Sequence, residues 1–136
     1  MGEDYCEIRF ASETAKVRSM VFCLLDFIEG QAPSNHVRED LRLVFSELLY
    51  NAVIHGNKED AGKYVHVKLK VTGNFLTAYI SDEGRGFDYP EVVEYAETEP
   101  ALYSGHGRGI ILVRALTDNF SFNELGNVAK FEKRLK

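Results

Sequence analysis

The stretch Glu47-Leu-Leu-Tyr-Asn51-Ala-Val-Ile-His55-Gly56 combines an apolar helical pattern with polar residues at intervals of one turn. Residues four apart lie in one row on a helix, so Glu47, Asn51 and His55 share one side. This row borders the core, where an unpaired acid is costly. A metal, a nucleotide or a second polar partner would explain it, and the simpler alternative is a helix with a wide polar face. The core-facing residues of this helix are Leu41, Val44, Phe45, Leu48, Leu49, Ala52 and Val53.

Length and composition predict one soluble globular domain spanning residues 1–136, with 45% hydrophobic and 27% charged residues. The formal net charge of −5 argues against direct binding of nucleic acid, because phosphate contacts need clustered Lys and Arg. The acidic start has no apolar segment typical of a signal peptide, and no apolar run is long enough to span a membrane. We therefore expect a cytoplasmic protein without a membrane partner.

The residue patterns predict the order β-α-α-β-β-loop-α-β-β. Adjacent hairpins indicate antiparallel pairs, and three amphipathic helices suffice to cover one face of a sheet. The predicted fold is an α+β two-layer sandwich with a mixed, largely antiparallel sheet. The predicted segments are a strand at 5–10, a helix from 12 or 13 to Gly30, a helix from 36 to His55 with Gly56 as C-cap, strands at 65–71 and 75–81, an excursion at 89–104 with a short helix at 91–96, a helix at 110–116, and strands at 119–123 and 128–135.

A second polar cluster, Asp82-x-Gly84-x-Gly86, follows the predicted strand 75–81. A short acid at a strand end can accept a hydrogen bond from an exocyclic amine, and glycines let the main chain approach a flat ring closely. The alternative is an ordinary tight turn rich in Gly and Asp.

A third cluster, Gly105-x-Gly107-x-Gly109, leads into the last predicted helix. Free N–H groups at a helix N-terminus form an anion site, and Arg108 would add a charged donor suited to phosphate. The cluster lacks the Gly-Lys-Ser/Thr of a P-loop, and no early parallel strand precedes it as in a dinucleotide-binding unit. By itself the triplet also fits an ordinary flexible loop.

Together, the three clusters in this order and spacing resemble the N, G1 and G2 boxes of the GHKL (Bergerat-fold) ATPases. Within that superfamily the chain is similar to the small anti-sigma factors with serine-protein kinase activity. The resemblance rests on Asn-Ala-Val-Ile-His-Gly-Asn (51–57), Ser-Asp-Glu-Gly-Arg-Gly-Phe-Asp (81–88) and Gly-Arg-Gly-Ile-Ile-Leu-Val-Arg-Ala-Leu-Thr-Asp (107–118). The last glycine box departs from the family's Gly-x-Gly-Thr, because Gly-Asn-Val-Ala-Lys (126–130) has no threonine.

The resemblance implies ATP and Mg²⁺ as cofactors and assigns a role to each cluster. It implies that Glu47 is the general base that takes the proton from a partner's hydroxyl and that Asn51 is the Mg²⁺ ligand. It implies that Asp82 accepts from the adenine amino group, with Gly84 and Gly86 allowing the ring to approach.

The same resemblance implies that Gly105, Gly107 and Gly109 surround the phosphates with N–H groups and that Arg108 neutralises charge on the γ-phosphate. Residues 89–106 correspond to the family's ATP lid.

The implied function is an anti-sigma-type regulator that transfers the ATP γ-phosphate to Ser or Thr of an antagonist protein. The antagonist would be an anti-anti-sigma (STAS-like) protein, with a sigma factor as a second partner and a homodimer as a family expectation. The alternative is a module that binds ATP and sequesters a partner without kinase turnover. A histidine kinase catalytic domain and a gyrase-like ATPase are disfavoured, because phospho-acceptor helices and a transducer domain are not seen in the sequence.

Overall fold

A computed structural model describes residues 2–84 and 108–136, with only the main chain described for Arg108. The predicted excursion at 89–104 and its short helix lie outside these ranges. The elements in chain order are β1 (Glu3–Ala11), α1 (Thr14–Glu29), α2 (Asn35–Asn51), a π-helical turn (Ala52–Gly56), β2 (Tyr64–Thr72), β3 (Phe75–Ser81), α3 (Arg108–Leu116), β4 (Asn119–Phe122) and β5 (Val128–Arg134).

The strands form one five-stranded sheet in the order β1-β2-β3-β5-β4, and the described pairs are all antiparallel. β1 is longer than predicted, because it pairs with β2 from Glu3 opposite Thr72 to Ala11 opposite Tyr64. The Gly73-Asn74 turn closes the β2–β3 hairpin, and the φ of 61° at Gly73 explains the glycine there. The α+β prediction is confirmed.

The helices cover one face of the sheet, and the core lies between the two layers. Alternation along β2 buries Val65, Val67, Leu69 and Val71 beneath the helices. The seven α2 and π-turn residues predicted to face the core are all buried. Across the layers, the rings of Phe45 and Phe131 pack with their centroids 5.8 Å apart.

The end of α2 differs from the prediction. The α-helix stops at Asn51 and continues as the π-helical turn, which is closed by the Asn57 N–H donating to the Ala52 carbonyl at 2.8 Å. Gly56 is not a left-handed C-cap, since the positive φ angles of this region belong to Lys58 and Glu59. The glycine is explained instead by close tertiary contacts, which periodicity along the sequence does not reveal.

Among residues 2–84 and 108–136, no helix has the length and apolar character needed to cross a lipid bilayer.

Candidate functional site

Glu47, Asn51 and His55 line one pocket, as their spacing predicts. The pocket has a volume of about 120 Å³ and lies between the C-terminal half of α2 with its π turn and the first two turns of α3. Glu47 and Asn51 are only partly buried, so both side chains remain accessible from the pocket. The row is therefore the polar wall of a concave site and not a uniformly solvated helix face.

The start of α3 packs directly on Glu47. Gly109 is the second residue of α3, and a Cβ built at this position would overlap the Glu47 carboxylate. The absent side chain therefore lets a carboxylate lie beside the first turn of a helix. The first four N–H groups of a helix have no partner within it, and such groups are suited to binding an anion, so the Glu47 carboxylate lies beside donors of that kind.

Asp82 lies beyond the C-terminal end of α2, against the last residue of the π turn. A Cβ at Gly56 would overlap the Asp82 carboxylate, and a Cβ at Gly84 would overlap the Gly56 carbonyl. The strand end and the π turn are therefore in contact at two positions that only glycine permits. At about 1.5 Å per residue, Glu47 and Gly56 are separated by roughly 13 Å along the helix axis.

The Asp82 carboxyl is partly withdrawn from water. Burial raises its pKa. The Gly84 N–H donates to Oδ1 at 2.8 Å, and this hydrogen bond and the charge of Lys63 offset part of that rise. One carboxylate oxygen is therefore held by the protein's own main chain.

Asn57 ends the quoted stretch 51–57, but no sequence pattern assigns it a role in the site. It follows the π turn in a stretch that is predicted correctly as a loop, yet it is completely buried. Its Oδ1 accepts from the Glu83 N–H at 2.7 Å, and its Nδ2 donates to Ser12 Oγ at 2.6 Å and to the Tyr64 carbonyl at 3.0 Å. A single polar residue in a loop carries no periodic signal, so only its tertiary contacts distinguish it.

The β4–β5 turn supports the same strand end from the other side. The Asp82 N–H donates to the Asn127 carbonyl at 2.9 Å, and Asn127 Nδ2 donates to the Gly84 carbonyl at 3.4 Å. Gly126 has a φ of 82°, which explains the glycine that precedes Asn127. This segment reaches Gly84 through an asparagine, although it lacks the family's threonine.

The remaining predicted site residues lie outside the described part of the chain. These are Gly86, Gly105, Gly107 and the side chain of Arg108, together with the predicted lid at 89–106. Of the predicted set, the structure therefore brings Glu47, Asn51 and Gly109 to one pocket and Asp82 and Gly84 to the adjacent end of the π turn.

The residues that the structure describes could supply only part of the coordination shell of a Mg²⁺ ion. Within 2–84 and 108–136 there is no group of three or more His, Cys, Asp or Glu that could hold a metal ion. Mg²⁺ commonly keeps several waters and takes its other ligands from one or two protein oxygens and substrate phosphates. The Asn51 carboxamide is a suitable oxygen donor for that arrangement. A pocket of about 120 Å³ is smaller than the roughly 300–1,000 Å³ of sites that enclose a whole small molecule.

Comparison with protein families matches residues 10–133 to the histidine kinase-like ATPase domain. An anti-sigma F factor of Clostridium botulinum (strain Eklund 17B / Type B) is 25% identical over 140 residues, covering 98% of this chain and 96% of the relative. The serine-protein kinase RsbW of Bacillus subtilis (strain 168) is 27% identical over 121 residues, covering 85% of this chain and 75% of the relative.

Among solved structures, the chain is similar to one containing the RsbU and RsbW domains of a Mycobacterium tuberculosis protein, with a TM-score of 0.68 and 18% identity. The similarity covers 97% of this chain but only 32% of the solved one, so this chain spans about a third of the length of that solved chain. At this identity the match concerns the fold alone, and it agrees with the two-layer architecture described above.

Proposed function

Because the chain belongs to the histidine kinase-like ATPase domain family, we propose that it binds ATP with Mg²⁺ and transfers the γ-phosphate to a serine or threonine of a partner protein. The observation that carries the proposal is the pairing of Glu47 and Asn51 in one pocket, with α3 beginning against the Glu47 carboxylate. The printed name of one relative, a serine-protein kinase, supports the same activity.

The two ends of the site suit the two ends of ATP. Asp82 would accept a hydrogen bond from the adenine amino group through the oxygen that Gly84 does not occupy. The first turn of α3, including Gly109, would donate N–H groups to the phosphates, with Gly105, Gly107 and Arg108 extending this contact. Gly86 would give the ring room beside Asp82.

Glu47 would act as the general base of the transfer. Its carboxylate takes the proton of the acceptor hydroxyl as the hydroxyl oxygen bonds to the γ-phosphorus. The bond from that phosphorus to the β,γ-bridging oxygen then breaks, and ADP leaves with the electron pair. Asn51 would hold Mg²⁺ through its carboxamide oxygen, and the ion neutralises phosphate charge when bound.

We further propose that the acceptor is an anti-anti-sigma (STAS-like) antagonist and that a sigma factor is the second partner in a partner-switching pathway. The printed name of one relative, an anti-sigma F factor, supports a sigma factor as a partner, and the choice of antagonist follows from the resemblance stated for the sequence. Residues 1–136 would form one domain, and residues 89–106 would be its lid. The working form would be a homodimer. An ATP-binding module that sequesters a partner without turnover is distinguished from this kinase only by a transfer assay.

The test is incubation of the protein with labelled Mg-ATP and purified STAS-domain proteins, followed by detection of phosphoserine and phosphothreonine. Glu47→Gln should reduce transfer by about 10²- to 10⁴-fold while ATP still binds. Glu39→Gln is the matched control, because Glu39 is an exposed acid on α2 that pairs with Arg42 and is not among the residues lining the pocket. Transfer retained in Glu47→Gln would refute the base assignment, and a wild type that binds no adenine nucleotide would refute the function.

A further inference from the structure

Asn57 joins the strand end that carries Asp82 to two other parts of the fold. Its side chain uses the carboxamide oxygen toward Glu83 and both amide hydrogens toward Ser12 and Tyr64, with donor–acceptor distances between 2.6 and 3.0 Å. Ser12 is also completely buried, and its N–H donates to the Lys63 carbonyl. The side chain therefore links the β1–α1 junction, the start of β2 and the segment after β3.

A buried carboxamide is favourable only when its polar groups are paired, because each unpaired group keeps its full desolvation penalty. Three hydrogen bonds engage the oxygen and both amide hydrogens of Asn57, so this network fixes one geometry. A leucine of similar size would fill the same volume without bonding Glu83. The asparagine therefore adds positional definition that packing alone would not supply.

The position that Asn57 defines is that of Asp82. Glu83 is the next residue, so a bond to its N–H holds the peptide that follows Asp82. Gly56, the neighbour of Asn57, lies against the Asp82 carboxylate and the Gly84 main chain. Two consecutive residues at the end of the π turn thus contact the side chain and the main chain of Asp82-Glu83-Gly84.

We propose that Asn57 is a positioning residue for base recognition: by holding the Glu83 N–H it aims the Asp82 carboxylate at the adenine amino group without itself contacting the nucleotide. The proposal rests on the proposed function, because it assigns how the base-binding acid of that site is held. Recognition groups must be held within about 0.5 Å of their productive position, which explains why the Asn57–Glu83 hydrogen bond is needed in addition to the contact with Gly56.

Three variants separate positioning from general stability. Asn57→Ala removes the acceptor of the Glu83 N–H and both donors. Asn57→Asp keeps an oxygen for Glu83 but disturbs the contact with the Tyr64 carbonyl, so it should lower stability while retaining the alignment. Ser12→Ala removes a partner on the side of the network away from Asp82 and should behave like Asn57→Asp. If Asn57→Ala does not fold, Asn57→Ser replaces it, since serine is too short to reach Glu83.

The experiment measures ATP affinity by calorimetry and amide exchange at Glu83 by NMR without nucleotide, both below the melting temperature of each variant. We expect Asn57→Ala to weaken ATP binding by about tenfold or more and to accelerate Glu83 exchange by a similar factor. Asn57→Asp and Ser12→Ala should stay within about threefold of wild type in both measurements.

Equal losses of affinity in all three variants, or an Asn57→Ala protein whose melting temperature falls while its ATP affinity is unchanged, would overturn the proposal. Unchanged Glu83 exchange in Asn57→Ala would overturn it as well. The exchange measurement needs no ligand, so it also decides the role of Asn57 at Glu83 if the wild type fails to bind ATP and the proposed function is wrong.

Discussion

Replacing Gly56 with alanine should weaken ligand binding through Asp82. Gly56 lies in the π-helical turn and does not have a left-handed φ, so its main chain accepts alanine, and the change would add about 0.5–1 kcal/mol of stability in an open helical site. Here the new Cβ would overlap the Asp82 carboxylate, including a contact of 2.8 Å to Oδ1. The side chain of Asp82 must therefore turn away.

The size of the effect follows from the hydrogen bonds that Asp82 gives up. Loss of the Gly84 N–H bond of 2.8 Å removes a hydrogen bond to a charged group, about 1.5–3 kcal/mol. The helical gain and the return to water of a carboxylate that burial disfavours both offset this loss, so the free energy of unfolding should change by less than about 2 kcal/mol. Loss of a second such bond to the adenine amino group would weaken nucleotide binding by roughly 10- to 150-fold.

The assay is titration calorimetry with ATP, combined with chemical unfolding to measure stability. Gly30→Ala is the matched control, because Gly30 has a φ of −62° and its added Cβ would approach only the Phe27 carbonyl oxygen, at 3.4 Å. That control should bind normally and be unchanged or slightly stabilised. A folded Gly56→Ala protein that binds ATP within about twofold of wild type would refute the idea that contact with Gly56 holds Asp82 in place.

Two further predictions concern charged side chains. Asp82→Asn removes a carboxyl whose pKa burial raises, so ionisation above about pH 4 disfavours the folded state. Without nucleotide the variant should be more stable than wild type at neutral pH, and the difference should vanish in acid; melting curves across the pH range check this. The ATP affinity of the variant should fall, which calorimetry measures. Lys133→Met should lower the unfolding free energy by about 1–3 kcal/mol, because Lys133 Nζ donates to the Leu116 carbonyl at 2.6 Å and pairs with Asp40 at 3.5 Å in a largely buried position. Chemical denaturation measures the loss. The control Lys16→Met, at an exposed ion pair, should change the unfolding free energy little. Equal losses in both variants would contradict the prediction.

The spacing of apolar residues predicted the helices and strands, because burial of one face imposes that spacing along each element. The alternation in β2 and the apolar side of α2 were predicted correctly, as was the turn at Gly73-Asn74, where the structure gives Gly73 a positive φ. The row of Glu47 and Asn51 was also predicted correctly, because two residues one helical turn apart face the same side in any surroundings.

Gly56 shows where this local reasoning ended. A glycine after an apolar helix usually marks a left-handed cap, but here its missing Cβ is needed for the Asp82 carboxylate and Gly84. Both partners lie more than twenty residues away in the chain.

The sequence by itself determined the layer architecture and the chemical character of the site, because both depend on residue type and on spacing along single elements. Only the tertiary structure decided that Asp82 meets Gly56, that Gly109 packs on Glu47 and that Asn57 holds the Glu83 N–H. These contacts join residues that are distant in the chain, and they depend on how three elements approach one another. A local sequence pattern does not encode which distant residues come close in space, and this is why these contacts were not predicted.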